Sequence, residues 1–253
     1  MGCKSRQTFL SNEAYNSIEN CASRRHGGAM NRRHGYLLVL GTAHDQAGMD
    51  RYQSELPPVY AAHKGYRLGM GDHTSGTTFL DGSLKNLGMM LARFPSPESV
   101  SEFWWSEEYR EAYRHRKNAG RFAAVALPGL DQESDPIVGE RGYLVAMATP
   151  ETPGCWRRFA EPFLANAREQ CGIVLADTGP DGIERLESLM PGSHVIVAMF
   201  ASEQASKDAW AAIAPDLEQQ KVECGSVNII SLAGLPDDHP ERLTQEVFAT
   251  YNI

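Results

Sequence analysis

The chain has few cysteines, no long apolar run and no excess of positive charge, and each shortage removes a class of function. Its five cysteines, Cys3, Cys21, Cys155, Cys171 and Cys224, are odd in number, widely spaced and free of any C-x-x-C pair. That spacing argues against zinc and dithiol redox motifs and fits reduced thiols in a cytoplasmic protein. No stretch approaches the roughly 18 consecutive apolar residues that span a bilayer, and the opening residues lack the apolar core of a signal peptide. The Met-Gly-Cys opening falls short of a myristoylation signal, because Arg6 stands where Ser or Thr is required. A net charge of −8 disfavours nucleic acid and anionic membranes as partners, since both would repel it. Also missing are G-x-G-x-x-G, the P-loop pattern and the G-x-S-x-G elbow, and no two histidines stand at the i, i+4 spacing of a helical metal site. Neither a metal nor a resident cofactor is expected.

What is present is ordinary for a folded protein. Apolar residues make up 42% and charged residues 22%, so a substantial buried core is expected. Charge is unevenly placed: residues 1–33 carry Lys4, Arg6, Arg24, Arg25, Arg32 and Arg33 against Glu13 and Glu19. With no sustained apolar period, this segment reads as a disordered basic extension, a basic docking arm being the functional alternative, and Met30 offers an alternative start.

The dominant feature is internal repetition, which is sought before elements are assigned. HGYLLVLGT at 34–42 recurs as RGYLVAMAT at 141–149, each an apolar run of strand length opening on Gly-Tyr. In the first copy Met49, Tyr52, Leu56, Val59, Tyr60 and His63 share one helical face; the second has Trp156, Phe159, Phe163, Asn166, Ala167 and Gln170 at an offset of 107. Gly65 and Gly172 follow, where a left-handed residue is expected to close each helix. LGMMLARF matches HVIVAMF, Trp104 matches Trp210, and FAAVALPGL at 122–130 matches VNIISLAGL at 227–235.

The order β-α-β-β-α-β therefore occurs twice, which predicts an α+β fold of two tandem ferredoxin-like units. Strands such as LLVLG are apolar at nearly every position, so both faces of each sheet should be buried, and packing the units sheet to sheet as a pseudo-dimer would achieve this. The expected boundaries are an extension at 1–33, a first repeat at 34–130, an acidic linker at 131–140, a second and diverged repeat at 141–236, and a polar tail at 237–253.

Residues 34–130 resemble the bacterial domain-of-unknown-function family 1330, within the dimeric α/β-barrel superfamily. The resemblance rests on Gly35-Tyr36, a tyrosine-rich first helix, Phe94-Pro95-Ser96, and Ser106-Glu107-Glu108-Tyr109 followed by Arg116. The second copy keeps Gly142-Tyr143 and Trp210 but lacks the other motifs. Where members often have tyrosine this chain has His63, and Met70 replaces a frequent arginine. The resemblance implies a small-molecule pocket between helices and sheet, in relatives that include cofactor-free monooxygenases, isomerases or cyclases, and some haem enzymes. Neither His115 nor His194 stands in a pattern that identifies an axial haem ligand.

Candidate site residues lie in the first copy. His63 ends the apolar stripe and could serve as a general base, or equally as a core histidine bonded to a backbone carbonyl. Tyr109 and Arg116 would orient a substrate, the alternative being surface pairing of Arg116 with nearby acids. Trp104 and Tyr113 form an aromatic wall with them, although Trp104 recurs as Trp210 and so also reads as core. Tyr36 and Tyr60 join the expected substrate contacts, and Asp72 with His73 would bring an acid–base pair to a pocket mouth. The expected function is cofactor-independent catalysis on a small aromatic or carboxylated molecule; the alternative is a noncatalytic binding or structural protein. The expected partner is a small-molecule ligand, and two chains could associate beyond the internal pair.

Overall fold

The computed structural model describes residues 33–130, 140–188 and 192–236. The expected basic extension up to residue 32, the linker at 131–139 and the tail from 237 onward lie outside the described residues, as do Cys3 and Cys21.

The first half runs β1 (Gly35–Ala43), α1 (Gln46–Ala62), β2 (Tyr66–Gly71), β3 (Thr77–Asp81), β4 (Gly88–Phe94), α2 (Pro97–Trp105), α3 (Glu107–Arg116) and β5 (Gly120–Pro128). The second runs β6 (Gly142–Pro150), α4 (Cys155–Glu169), β7 (Ile173–Thr178), β8 (Glu184–Glu187), β9 (His194–Phe200), α5 (Glu203–Cys224) and β10 (Gly225–Ala233). Two antiparallel sheets result, ordered β2-β4-β1-β5-β8 and β3-β10-β6-β9-β7. Apart from β3 and β8, each half contributes four strands in the ferredoxin-like order.

The sheets have five strands where the repeat predicts four, because β3 and β8 change places. Strand β3 leaves the first half and pairs with β10, and β8 leaves the second and pairs with β5. Each thereby covers an edge whose backbone donors and acceptors would otherwise be unpaired.

Alternation along β1 explains the double burial. Tyr36, Leu38 and Leu40 join Tyr143, Val145 and Met147 in a core between the sheets. Leu37 and Val39 point the other way, into the core under α1, α2 and α3 with Leu56, Tyr60, Phe103 and Tyr109. The second half has its own helix-side core around Phe159, Phe163 and Trp210.

Helix α1 begins at Asp45, whose carboxylate accepts the Gly48 N–H at 3.1 Å. Its end corrects the expectation that Gly65 is left-handed. Lys64 takes the positive φ, at 54°, while Gly65 N–H bonds Tyr60 C=O at 2.8 Å. Gly65 is needed for a different reason: a Cβ there would lie 2.3 Å from the Phe94 ring. The second half repeats this, with Cys171 at φ 58° and Gly172 facing Phe200.

The S-x-E-Y motif marks a break between helices. Ser106 leaves helical geometry, ends α2, and caps α3 by accepting the Tyr109 N–H at 3.2 Å. Glu107 and Glu108 then fall in the first turn of α3, where the helix dipole favours negative charge. The break lets α3 turn inward, burying Tyr109 at 0% and Arg116 at 2% exposure. Helix α5, lacking the motif, runs unbroken for 22 residues.

Candidate functional site

A cavity of about 540 Å³ lies between the N-terminal half of α1 and the end of the first sheet. Gly41, Gly71 and Gly88 border it. Gly41 and Gly88 face each other in register on β1 and β4, and Gly71 on β2 stands opposite Met89. The same register in the second half holds Ala148 opposite His194 and Thr178 opposite Val195. There the His194 ring packs 5.3 Å from Trp156, occupying the corresponding space. Burial lowers the pKa of His194, an effect that neighbouring Asp177 opposes.

Met49, Tyr52 and Leu56 supply the helical wall, Met90 and Phe122 the sheet wall, and Asp72 and His73 the loop side. Two buried arginines reach the cavity, Arg67 from β2 and Arg116 from the end of α3. The Arg67 guanidinium lies 5.3 Å from the Tyr60 ring centroid. Arg116 stacks 4.5 Å over Phe122, pairs through Nη2 with Glu187, and donates through Nη1 to Tyr109 Oη at 3.1 Å and Tyr52 Oη at 3.3 Å. Its Nε has no hydrogen-bond partner among the described residues.

Burial pushes the Tyr60 phenol up to about 12, although Arg67 works against the shift. Burial likewise holds Tyr109 well above its ordinary value, with Tyr52 raising it further and Arg116 opposing. Both remain protonated at neutral pH. Asp72 is shifted down by the Thr74 side chain and by backbone N–H groups of its own loop.

The expected site residues divide accordingly. Arg116, Asp72 and His73 line the cavity. Tyr109 stands directly behind it, 3.1 Å from Tyr52, and Tyr113 braces the same cluster by donating to Glu187 at 3.0 Å. Trp104 is core, 4.7 Å from the Tyr109 ring, and Tyr60 is core against Phe94 and Phe103. Tyr36 is on the wrong face: strand alternation sends it into the core between the sheets. His63 is corrected too. It caps α1 seven residues beyond Leu56, roughly 10 Å along the helix, and meets Phe103 edge-on at 5.8 Å without lining the cavity. The Asp72 carboxylate is committed to its loop, accepting from Thr74 N–H at 2.7 Å and Ser75 N–H at 3.0 Å.

Sequence reasoning missed Tyr52, Arg67 and Glu187 as site residues. Arg67 had a signal, an arginine inside the apolar strand YRLGM, and Tyr52 was visible only as one member of the helical stripe. Glu187 had none, since its partner lies 71 positions away. Among the described residues no group of three or more His, Cys, Asp or Glu converges to hold a metal ion.

No curated protein matches the chain. Among solved structures, a candidate monooxygenase from Fusobacterium nucleatum aligns at 9% identity and TM-score 0.49, covering 81% of this chain and 94% of that one. An anthrone oxidase-like protein aligns at 14% identity and TM-score 0.44, covering 80% and 91%. A protein of unknown function from Rhodopseudomonas palustris covers 50% of this chain and 97% of its own, at 19% identity and TM-score 0.30. Likenesses at this level assign no activity to the present chain. The family model described as "Domain of unknown function (DUF1330)" matches residues 34–130, the part of the chain that holds the cavity.

Proposed function

We propose that the chain binds and chemically alters a small organic molecule with an aromatic or similarly flat apolar body and a carboxylate, held in the cavity of the first half. One observation carries the reading: two buried arginines from different elements, Arg67 and Arg116, border the same cavity as Met49, Met90 and Phe122. Its volume of about 540 Å³ falls within the roughly 300–1,000 Å³ typical of small-molecule sites. Guanidinium groups suit a carboxylate, and the thioether and phenyl walls suit an apolar ring. Side-chain chemistry at such a site would be of the isomerase, cyclase or cofactor-independent monooxygenase kind, with the His73 imidazole and the Tyr52 hydroxyl bordering the ligand.

A noncatalytic binding role is the second reading, favoured by the commitment of Asp72 to its loop and the placement of His63 outside the cavity. Thermal-shift titration with benzoate and phenylacetate against benzamide and toluene tests the shared element. Ligands that bind only the folded state raise its stability by mass action, so the carboxylates should raise Tm and R67M should abolish the increase. Equal shifts with the neutral analogues, or none with any compound, would remove the anion-binding reading. Turnover of a bound carboxylate, followed by mass change or proton exchange, separates catalyst from binder.

A further inference from the structure

The direction of one buried hydrogen-bond chain assigns Tyr52 a role beyond lining the cavity. Tyr109 Oη and Tyr52 Oη stand 3.1 Å apart, and Arg116 Nη1 donates to both. Tyr109 is fully buried, and a buried hydroxyl proton left without an acceptor is costly. Among the described residues, the contact available to that proton is Tyr52 Oη. Tyr109 therefore donates and Tyr52 accepts. The Tyr52 oxygen then takes one hydrogen bond from Tyr109 and another from Arg116, which uses both of its lone pairs. Its own proton is left for the cavity that its side chain borders. The opposite direction would strand the Tyr109 proton inside the core.

Glu187 keeps this polarity in place. It arrives on β8 from the second half, pairs with Arg116 through Oε2, and accepts the Tyr113 hydroxyl at 3.0 Å through Oε1. Held from that side, Arg116 directs Nη1 at the two phenol oxygens.

We infer that Tyr52 presents its hydroxyl proton to the bound molecule, that this molecule places an acceptor oxygen, that of the proposed carboxylate or of a phenolate, at the helix-side wall of the cavity, and that Glu187 is the positioning residue for this contact. The inference rests on the cavity being the binding site proposed above.

Two probes of one shape test it, 4-nitrophenolate and nitrobenzene, titrated against wild type, Y52F, E187Q and E187D, with the bound phenolate followed by its absorption. A hydrogen bond from a neutral donor to a charged oxygen predicts nitrophenolate affinity about tenfold to a hundredfold lower in Y52F. Nitrobenzene affinity should be unchanged, and the bound phenol should ionise at lower pH in wild type than in Y52F. E187Q should weaken nitrophenolate binding in the same direction, and E187D should restore it. Equal nitrophenolate affinity in wild type and Y52F would overturn the assignment of Tyr52 while leaving the cavity reading intact. Unchanged phenolate binding in E187Q would remove Glu187 from the positioning role. Failure of wild type to bind either probe would overturn the cavity reading and this inference together.

Discussion

Arg116 and Glu187 form an ion pair across the two halves of the chain, one at the end of α3 and the other at the end of β8, with side chains 2% and 19% exposed. A buried guanidinium is tolerable only when paired and hydrogen-bonded, and removing one partner leaves the other charged in a poorly solvating site. The strand exchange is thus tied to the electrostatics of the cavity. Without β8 at the edge of β5, Arg116 would lose its carboxylate.

E187L should accordingly destabilise the protein by about 3 kcal/mol, whereas E187L combined with R116M should recover much of that loss. Urea unfolding at unchanged m reads both, and a double variant no more stable than E187L would refute the explanation.

The closing turn of α1 should respond in opposite senses to two neighbouring changes. Lys64 bears the positive φ and Gly65 the close approach to Phe94. K64G should leave stability unchanged or raise it by about 0.5–1 kcal/mol. G65A should lower it by about 1–3 kcal/mol through overpacking against the ring. Thermal denaturation of the pair distinguishes this assignment from the usual glycine-closed helix.

Alkaline pH should weaken the fold through Tyr60 and Tyr109. Their folded-state values lie above the ordinary 10, so above pH 10 the unfolded chain releases these protons while the folded chain retains them. Their contribution is fully present below pH 10 and is lost as pH rises; for Tyr60 the loss completes near pH 12. A shift of that size corresponds to about 2–3 kcal/mol for Tyr60. Stability measured from pH 9 to 12 should fall more steeply in wild type than in Y60F.

Repacking the second half should separate the two halves of the chain functionally. Trp156, half-buried, packs on His194 at the position that corresponds to the cavity, so W156A should cost about 1–3 kcal/mol while leaving probe binding in the first half unchanged. Denaturation and nitrobenzene titration on the same variant check the two statements separately.

Much of the architecture was legible because it depends on local periodicity. The two-residue alternation of β1 and the helical stripe of α1 are properties of neighbouring residues, and burying their apolar faces requires the layers that form. The shared face of Tyr109 and Arg116 was legible in the same way, since residues seven apart on a helix point together. The burial of that face was not, because it depends on the break at Ser106 turning α3 toward the sheet. Strands β3 and β8 escaped notice for a related reason: each is short and pairs with a strand of the other half, far away along the chain. His63 shows the limit of a stripe. Periodicity says which side of a helix faces inward, but it does not say where along that side the interior is empty.

The sequence by itself determined the α+β class, the two-sided burial of the sheets, and the placement of distinctive polar groups in the first half, since all three follow from residue type and short-range spacing. The tertiary structure decided which of those groups meet. The N-terminal half of α1 and the ends of β1, β2 and β4 enclose the cavity, α3 brings Arg116 to it, and β8 brings Glu187 from the second half to hold that charge. These relationships are set by strand exchange and helix packing across long separations, where a buried charge needs a partner wherever the chain can supply one.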